Sequence, residues 1–273
     1  MLSSRDFETV RCLVKEHAAI VLEAGKAYLV ETRLAPLARS EGMESVEALV
    51  AALCASAFGP LHARVVDALT TNETSFFRDL HPFEALRKVI LPELIRKRES
   101  QRKLNIWCGA SSSGQEPYTI AMVLREHFPQ LREWTVGLVA TDVSDEMLTR
   151  ARAGRFDQLE MNRGLPAPLL IKYFTKQGAQ WQLQDEVRRM VEFRPLNLVK
   201  DWPGMPPADV IFLRNVMLYF DVETRRQVLG RIRQLLQPDG YLFLGAAETT
   251  LNADDAFERV AVERSWAYRL KQA

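Results

Sequence analysis

The chain has 273 residues, of which 47% are hydrophobic and 26% are charged, and its formal net charge is +1. This composition is ordinary for a soluble globular protein of one large or two modest domains, and it gives no bulk attraction to nucleic acid or to an anionic membrane. The three cysteines are scattered and form no Cys-x-x-Cys pair, which argues against a disulfide framework and against a zinc site.

Two features of the sequence indicate a cytoplasmic protein with no segment inserted in a membrane. The first residues, MLSSRDFETVRCLVKEH, contain acidic side chains too early for a signal peptide. The most apolar window, residues 210–220, contains Arg214 and Asn215 and is far too short to span a bilayer. We therefore expect a protein of the reducing cytoplasm.

Residues 1–70 carry helical patterns and no strand signals, which predicts a separate all-helical domain. Seven basic and nine acidic residues give this region a net charge of −2. Residues 26–39 form one of its predicted helices, which Pro36 interrupts. The basic residues Lys26, Arg33 and Arg39, taken alone, are most simply a solvated helix face.

A polar segment with two phenylalanines follows, LTTNETSFFRD at residues 69–79. One interpretation is that Phe76 and Phe77 anchor the segment while its polar side chains face a ligand. Those polar side chains are Asn72, Thr74 and Arg78. The alternative, for the segment taken alone, is an N-capped turn with a surface arginine.

Residues 104–121, LNIWCGASSSGQEPYTIA, have the pattern of a buried strand, a loop of small residues and a helix. The residues from Cys108 to Gly114 include no bulky side chain, and Pro117 falls in the first helical turn, where a missing N–H group costs little. Such a bare backbone lets a ligand lie against the chain, and the helix N-terminus adds free N–H donors. A tight strand-to-helix connection without a ligand is the alternative.

Strand and helix patterns alternate over the remaining chain, which predicts an α/β fold. We expect a doubly wound, mainly parallel sheet with helices on both faces and a ligand site at the carboxyl ends of its strands. The sequence Pro238-Asp239-Gly240 predicts the end of the last helix, at about residue 236. Residues 154–190 break the alternation and predict an inserted piece with a helix near 168–174 and a small β-hairpin. The predicted strands are residues 135–141, 208–213 and 241–245, with a closing antiparallel pair at 258–262 and 266–270.

Polar residues at the strand ends indicate the kind of ligand. Asp142 lies 33 residues after Gly109, where an acid can accept hydrogen bonds from both hydroxyl groups of a ribose, although a helix-capping aspartate is the alternative. The loop lacks the GxGxxG spacing, and Glu116 beside it would repel a phosphate but suit an amine. Arg78 would suit a carboxylate. A nucleoside with an amino-acid tail, such as S-adenosylmethionine, fits these contacts.

Five motifs occur in a fixed order along the chain, and together they identify a family. They are TNETSFFR at 71–78, GQEPYTIAM at 114–122, ATD at 140–142, PLNL at 195–198 and RNVMLYFD at 214–221. The chain closely resembles the bacterial chemotaxis receptor glutamate methyltransferases, the CheR family, over essentially its whole length. The resemblance implies an all-α receptor-docking domain at residues 1–70, a class I, Rossmann-type methyltransferase domain at 71–273, and a β-subdomain inserted at about 154–190.

The resemblance implies transfer of a methyl group from S-adenosylmethionine to glutamate side chains of chemotaxis receptors, with S-adenosylhomocysteine as the second product. No metal is implied. The residues that the resemblance assigns to the cofactor are Asn72, Thr74 and Arg78 at the methionine part, Glu116 at the amine, Asp142 at the ribose, Asn197 and Leu198 at the adenine, and Arg214 and Asn215 elsewhere in the pocket.

The resemblance also implies that Tyr219 lies closest to the transferring methyl group and is, with Arg78, the catalytic candidate. Without the resemblance, Tyr219 is more simply a core aromatic residue. Because all the ligand-type residues are present, an enzyme is the favoured interpretation, and a non-catalytic S-adenosylmethionine-binding regulatory module is the alternative. Methylation of nucleic acid is disfavoured by the near-neutral charge and the lack of a basic stripe.

The partner implied by the resemblance is the cytoplasmic helical domain of chemoreceptors. Relatives use basic residues at the positions of Arg33 and Arg39 to meet acidic receptor helices. Here these positions lie in a net acidic domain, so we expect docking that is weaker and less salt-sensitive than in a strongly basic relative. In some relatives the β-subdomain captures a receptor tail pentapeptide, but the loop at 175–180 has a single glycine here, which predicts a tight turn and no such capture.

Overall fold

The computed structural model describes residues 2–271, and the chain divides into two compact units. The first unit combines the residues up to Thr71 with Tyr219–Thr224. The second unit holds Asn72–Leu218 and the residues from Arg225 onward. The segment Tyr219–Thr224 therefore belongs to the first unit, although it lies late in the sequence.

Helices with buried apolar faces make up the first unit. The Ser3 hydroxyl begins the first helix by accepting a hydrogen bond from the Asp6 N–H group, and Ser45 caps the third helix in the same way. The expected interruption at Pro36 is wrong, because the buried residues on both sides of it form one continuous helical face. The helices are α1 Ser4–Ala18, α2 Ala27–Ser40, α3 Val46–Cys54 and α4 Pro60–Leu69.

The second unit is built on a seven-stranded sheet within the described residues, in the order β6-β2-β1-β7-β8-β10-β9. Its strands are β1 Lys103–Gly109, β2 Thr135–Asp142, β6 Glu192–Pro195, β7 Ala208–Leu213, β8 Leu236–Phe243, β9 Phe257–Val262 and β10 Ser265–Leu270. The strands from β6 to β8 are parallel, and β10 runs antiparallel to both of its neighbours. Every residue of β7 is buried, as in a strand covered on both faces. The predicted doubly wound, mainly parallel sheet is confirmed.

Helices of this part of the chain lie before β1 and in the connections β1–β2, β2–β6 and β7–β8. Before β1, a π-helical turn, Leu86–Ile90, lies between two α-helices. The helices are α5 His81–Ala85, α6 Leu91–Arg98, α7 Gln115–His127, α8 Asp145–Ala153, α9 Gln158–Asn162, α10 Ala167–Tyr173, α11 Asp185–Arg188 and α12 Val222–Leu235.

Two parts of the sheet differ from the prediction. The strand β6 is absent from the prediction because Phe193 is its only buried residue, so the sequence has no apolar run there. Pro238 and Gly240, expected to separate α12 from the next strand, lie inside β8 instead. The pairing with β7 shifts register there. A Cβ atom at Gly240 would lie 2.8 Å from the Asp209 carbonyl oxygen, so a larger residue would not fit.

The inserted residues form a second sheet with the order β3-β5-β4 and antiparallel pairing. Its strands are β3 Arg155–Asp157, β4 Phe174–Gln177 and β5 Gln180–Leu183. Phe76 is fully buried, and its ring packs edge-on against Phe156 and Phe174 at centroid distances of 5.0 and 5.6 Å. The polar segment before α5 is therefore anchored on this subdomain through Phe76, whereas Phe77 is only partly buried.

Candidate functional site

The candidate site lies where the carboxyl ends of β1, β2 and β7 meet. Gly109 ends β1 and is aligned with Thr141 of β2 on one side and with Leu213 of β7 on the other. The strand order reverses at this point, since β2 follows β1 in sequence on one side and β7 follows much later on the other. Open α/β sheets bind ligands in the crevice beyond such a reversal.

The loop after β1 is held in an unusual backbone conformation. Ala110, Ser112 and Gly114 all have positive φ angles, of 54°, 49° and 93°, which only glycine adopts without cost. The Ser111 N–H group donates to the Thr141 carbonyl oxygen at 2.9 Å, which ties the loop to β2. The Ser111 hydroxyl is buried and has no hydrogen-bond partner in the described part of the chain. The conformation and the unused hydroxyl both favour a ligand at this loop.

Asp142 lies at the end of β2 and is only 6% exposed. Its two carboxylate oxygens accept hydrogen bonds from the N–H groups of Ser112, at 2.7 Å, and Ser144, at 2.9 Å. Burial raises the pKa of Asp142, and these backbone donors partly oppose that rise. The hydroxyl of Ser144 caps α8, so Asp142 is not the N-cap residue of that helix. The Val143 N–H group also lowers this pKa, and since a carboxylate has about four acceptor positions, these donors leave part of its capacity for a ligand.

Glu116 and Arg214 form a buried ion pair beside the loop. The Glu116 carboxylate lies in the first turn of α7 and accepts a hydrogen bond of 2.8 Å from Nη1 of Arg214, whose side chain is 1% exposed. The pKa of Glu116 is raised, mainly by burial. Arg214 and Arg78 lower it by their positive charge, and Glu248 raises it further. A second cation placed against Glu116 would therefore be favourable.

Arg214 also holds the segment that carries Arg78. Its Nη2 atom donates to Oδ2 of Asp79, at 2.6 Å, and to the carbonyl oxygen of Arg78, at 3.0 Å. Phe77, Asp79 and Leu80 have positive φ angles of 49°, 64° and 41°, an arrangement that needs support from its surroundings. The predicted ligand residue Arg214 is thus bonded mainly to other residues of the protein, and its guanidinium fixes the backbone beside Arg78.

The remaining candidates of the polar segment lie close to the loop after β1. The Ser112 hydroxyl donates to the Asn72 carbonyl oxygen at 2.8 Å. Arg78 is half-buried, and its Nη1 atom donates to the Glu73 carbonyl oxygen at 2.7 Å. Thr74 is half-buried on the same segment.

Asn197 and Leu198 lie in the turn after β6, which is joined to β2 by a hydrogen bond from the Leu196 N–H group to the Asp142 carbonyl oxygen. Leu198 is 7% exposed. Asn197 is half-buried, and its side-chain oxygen accepts from the Val199 N–H group at 3.1 Å. The second unit thus places this turn at the same strand end as Asp142.

Tyr219 is the one predicted site residue that the structure does not group with the others. It belongs to the segment Tyr219–Thr224 of the first unit, where its carbonyl oxygen accepts a hydrogen bond from the Val21 N–H group at 3.0 Å. Asn215, four residues earlier in the chain, is half-buried in the second unit and has a φ angle of 60°.

Glu248 is absent from the residues predicted for the site; it follows β8 and is 8% exposed. Its carboxylate accepts hydrogen bonds from the backbone of the loop that contains Asn215. An acidic residue shortly after a buried strand was the available signal, although Glu248 lies five residues beyond the end of β8, whereas Asp142 lies at the end of β2 itself. Among the described residues no cluster of His, Cys, Asp or Glu could hold a metal ion, and no helix is long and apolar enough to cross a membrane.

Comparison with known proteins gives a consistent result over both units. The family model described as "CheR methyltransferase, SAM binding domain" matches residues 72–266, and "CheR methyltransferase, all-alpha domain" matches residues 5–70. Chemotaxis protein methyltransferase 1 of Pseudomonas aeruginosa is 43% identical over 98% of this chain and 99% of its own length. Chemotaxis protein methyltransferase Cher2 of Pseudomonas putida is 40% identical over 97% and 98%, and the chemotaxis protein methyltransferase of Vibrio parahaemolyticus is 38% identical over 99% and 98%.

Proposed function

Because the chain belongs to the CheR family of S-adenosylmethionine-binding methyltransferases, we propose that it transfers a methyl group to glutamate carboxylates of chemoreceptors in the cytoplasm. The observation that carries the proposal is a pair of buried carboxylates, Glu116 and Asp142, on either side of a bare loop. The expected products are a glutamate methyl ester and S-adenosylhomocysteine.

The residues at the strand ends fit S-adenosylmethionine. The remaining acceptor capacity of Asp142 suits a ribose diol, and Glu116 suits the ammonium group because a nearby cation offsets the cost of burying its charge. The unpartnered hydroxyl of Ser111 is a further polar contact available to a ligand. In the proposed arrangement, Arg78 binds the carboxylate, with Asn72 and Thr74 beside it. Asn197 and Leu198 hold the adenine, and Arg214 and Asn215 support the pocket.

The proposed reaction requires little proton transfer. S-adenosylmethionine, when bound, supplies an electrophilic methyl group on a positively charged sulfur. A glutamate with an ordinary pKa of about 4.3 is already ionised at neutral pH, so the site needs no general base. This agrees with the position of all four histidines, His17, His62, His81 and His127, outside the motifs. The protein's contribution is then to align the reactants and to exclude water.

The test of the proposal is transfer of labelled methyl groups to membranes that contain chemoreceptors. We expect label on the receptor that mild base releases, since carboxylate methyl esters are base-labile. Binding of S-adenosylmethionine without any transfer would instead favour the regulatory module. Base-stable label on the receptor would exclude a glutamate ester.

We expect Tyr219→Phe to lower the methylation rate by about tenfold while changing the Kd of S-adenosylhomocysteine by less than about twofold. The reason is that a hydroxyl group acting near the transferring methyl contributes to the transition state rather than to ground-state binding. Calorimetry and steady-state kinetics on the same preparation measure the two quantities. An equal loss in both, or in neither, would mean that Tyr219 only packs.

The two arginines proposed for receptor docking, Arg33 and Arg39, have different surroundings in the structure. The guanidinium of Arg33 donates to the carbonyl oxygens of Leu69 and Thr70, at 2.8 and 3.0 Å, and so closes the end of α4. Arg39, near the end of α2, is exposed. We therefore assign docking chiefly to Arg39, because reversing the charge of Arg33 would also disturb a helix end.

We expect Arg39→Glu to lower the receptor methylation rate severalfold without changing the Kd of S-adenosylhomocysteine, because it repels acidic receptor helices. The matched control is Arg5→Glu, which makes the same charge change at an exposed position of α1. Equal losses in both variants would indicate a general field effect, and no loss in either would place the docking face elsewhere.

We expect no binding of a receptor C-terminal pentapeptide to the β-subdomain. The turn between β4 and β5 consists of Gly178 and Ala179 alone, because residues 175–177 and 180 are strand residues rather than loop. The edge strand β4 is four residues long and carries Lys176, features that disfavour addition of another strand. Calorimetric titration with the pentapeptide, against a scrambled peptide, measures this. A micromolar Kd for the native peptide alone would contradict the prediction.

A further inference from the structure

The buried carboxylate of Glu248 accepts hydrogen bonds from the backbone N–H groups of two loops. Its Oε2 atom accepts hydrogen bonds from Gly245 at 2.6 Å and from Asn215 at 2.7 Å. Its Oε1 atom accepts from Val216 at 2.8 Å and from Leu218 at 3.2 Å. Hydrogen bonds to an ionised acceptor are roughly twice as strong as those between neutral groups.

The geometry of the loop explains why a carboxylate is needed here. The N–H groups of Asn215, Val216 and Leu218 converge on one side chain, so they are not paired in a sheet or an α-helix. Asn215 has a φ angle of 60°, which is unfavourable for a residue with a side chain. The carboxylate supplies the acceptors that the backbone lacks, and so stabilises this loop conformation.

Gly245 allows the end of β8 to approach the loop closely. A Cβ atom there would lie 2.7 Å from Oε2 of Glu248, 2.7 Å from Nδ2 of Asn215 and 2.9 Å from the Asn215 backbone nitrogen. These distances leave no room for any other residue. The close approach brings the Asn215 side chain beside the carboxylate.

We propose that Glu248 is a positioning residue for the cofactor pocket, acting through the backbone of residues 215–218 to hold Asn215 in place. This inference rests on the proposed function only in naming S-adenosylmethionine and its product as the ligands. Glu248 uses its carboxylate on backbone N–H groups, so its role is distinct from that of Glu116, which pairs with Arg214.

Glu248→Gln is the informative variant because it keeps the shape of the side chain. A glutamine has one acceptor oxygen, and its NH₂ group would face two of the four N–H donors. The matched control is Asp209→Asn. Asp209 is 3% exposed and accepts from the Asn105 N–H group and from Arg98, but it lies near the start of β7, at the opposite end of that strand from Leu213.

We expect Glu248→Gln to raise the Kd of S-adenosylhomocysteine by about tenfold or more and to speed amide hydrogen exchange at residues 215–218. Asp209→Asn should lower the melting temperature but leave that Kd within about twofold of the wild-type value. If Glu248→Gln does not melt cooperatively, Glu248→Asp takes its place, since it keeps the charge but shortens the reach.

A wild-type Kd together with unchanged exchange at residues 215–218 would overturn the inference, as would equal weakening of binding in Glu248→Gln and Asp209→Asn. A failure of the proposed function would be seen in a different measurement, receptor methylation by the wild-type protein. If wild-type protein binds S-adenosylhomocysteine but methylates no receptor, a selective loss of binding in Glu248→Gln still supports the role of Glu248.

Discussion

Replacing Asp142 by asparagine is expected to weaken S-adenosylhomocysteine binding by about 100-fold, because hydrogen bonds to a charged acceptor contribute about 1.5–3 kcal/mol each. The variant keeps one carbonyl oxygen but loses the charge and half of the acceptor positions. Titration calorimetry measures the loss directly. Binding of the product is measured in preference to turnover, so that a failure of receptor docking cannot imitate the result.

The hydrogen bonds of Asp142 determine how this variant must be controlled. The sequence alone predicts that Asp142→Ala leaves the fold intact, since no core volume is removed. The structure shows that this side chain also accepts from the N–H groups of Ser112 and Ser144, so alanine would leave two buried donors unpaired. Asp209→Asn is the matched control, because it makes the same chemical change at another buried aspartate that accepts a backbone N–H group.

The binding of a diol to Asp142 also has a predictable pH dependence. Burial raises the pKa of this carboxyl group in the free protein, and the diol's hydrogen bonds favour the charged form. The pKa is therefore lower in the complex, so the affinity falls as the pH falls through the pKa of the free protein. A wild-type Kd in Asp142→Asn, with the control also unchanged, would remove Asp142 from the ribose site.

Local sequence patterns predict the fold where burial makes them strong. The strands β1, β2 and β7 are recognisable because their buried residues form apolar runs, and α8 begins directly after Ser144, a typical N-cap residue. The strand β6 is missed because a four-residue edge strand with one buried side chain leaves no periodic signal. The interruption expected at Pro36 fails because tertiary packing of one helical face outweighs a local preference.

The site was less predictable, because side-chain partners far apart in sequence decide its geometry. The residue types and their positions in the sequence identify Asp142 and Glu116 as candidates. No local sequence pattern shows that Arg214 binds Glu116 and Asp79. The same holds for Glu248, whose carboxylate accepts hydrogen bonds from the N–H groups of a loop about 30 residues earlier in the chain. Sequence therefore indicates which chemistry is present, whereas the three-dimensional structure is needed to tell a ligand contact from a residue that positions one.

Arg214→Met tests that distinction, and we expect it to lower the free energy of unfolding by about 3 kcal/mol, the scale of a buried ion pair broken on one side. Methionine fills much of the space but leaves the Glu116 carboxylate buried without its partner. It also removes the donors to Asp79 and to the Arg78 carbonyl oxygen. The double variant Arg214→Met with Glu116→Gln should recover part of the lost stability, because the unpaired charge is then gone.

Binding separates the positioning role of Arg214 from simple destabilisation. Without Arg214, the left-handed residues Phe77, Asp79 and Leu80 lose a support, so Arg78 moves and S-adenosylhomocysteine binding falls in Arg214→Met. Arg98→Met is the matched control, since Arg98 is 12% exposed and bridges Asp209 and Asp239. It should cost stability while leaving the Kd unchanged. Equal effects of Arg214→Met and Arg98→Met on the Kd would show that Arg214 acts only through global stability.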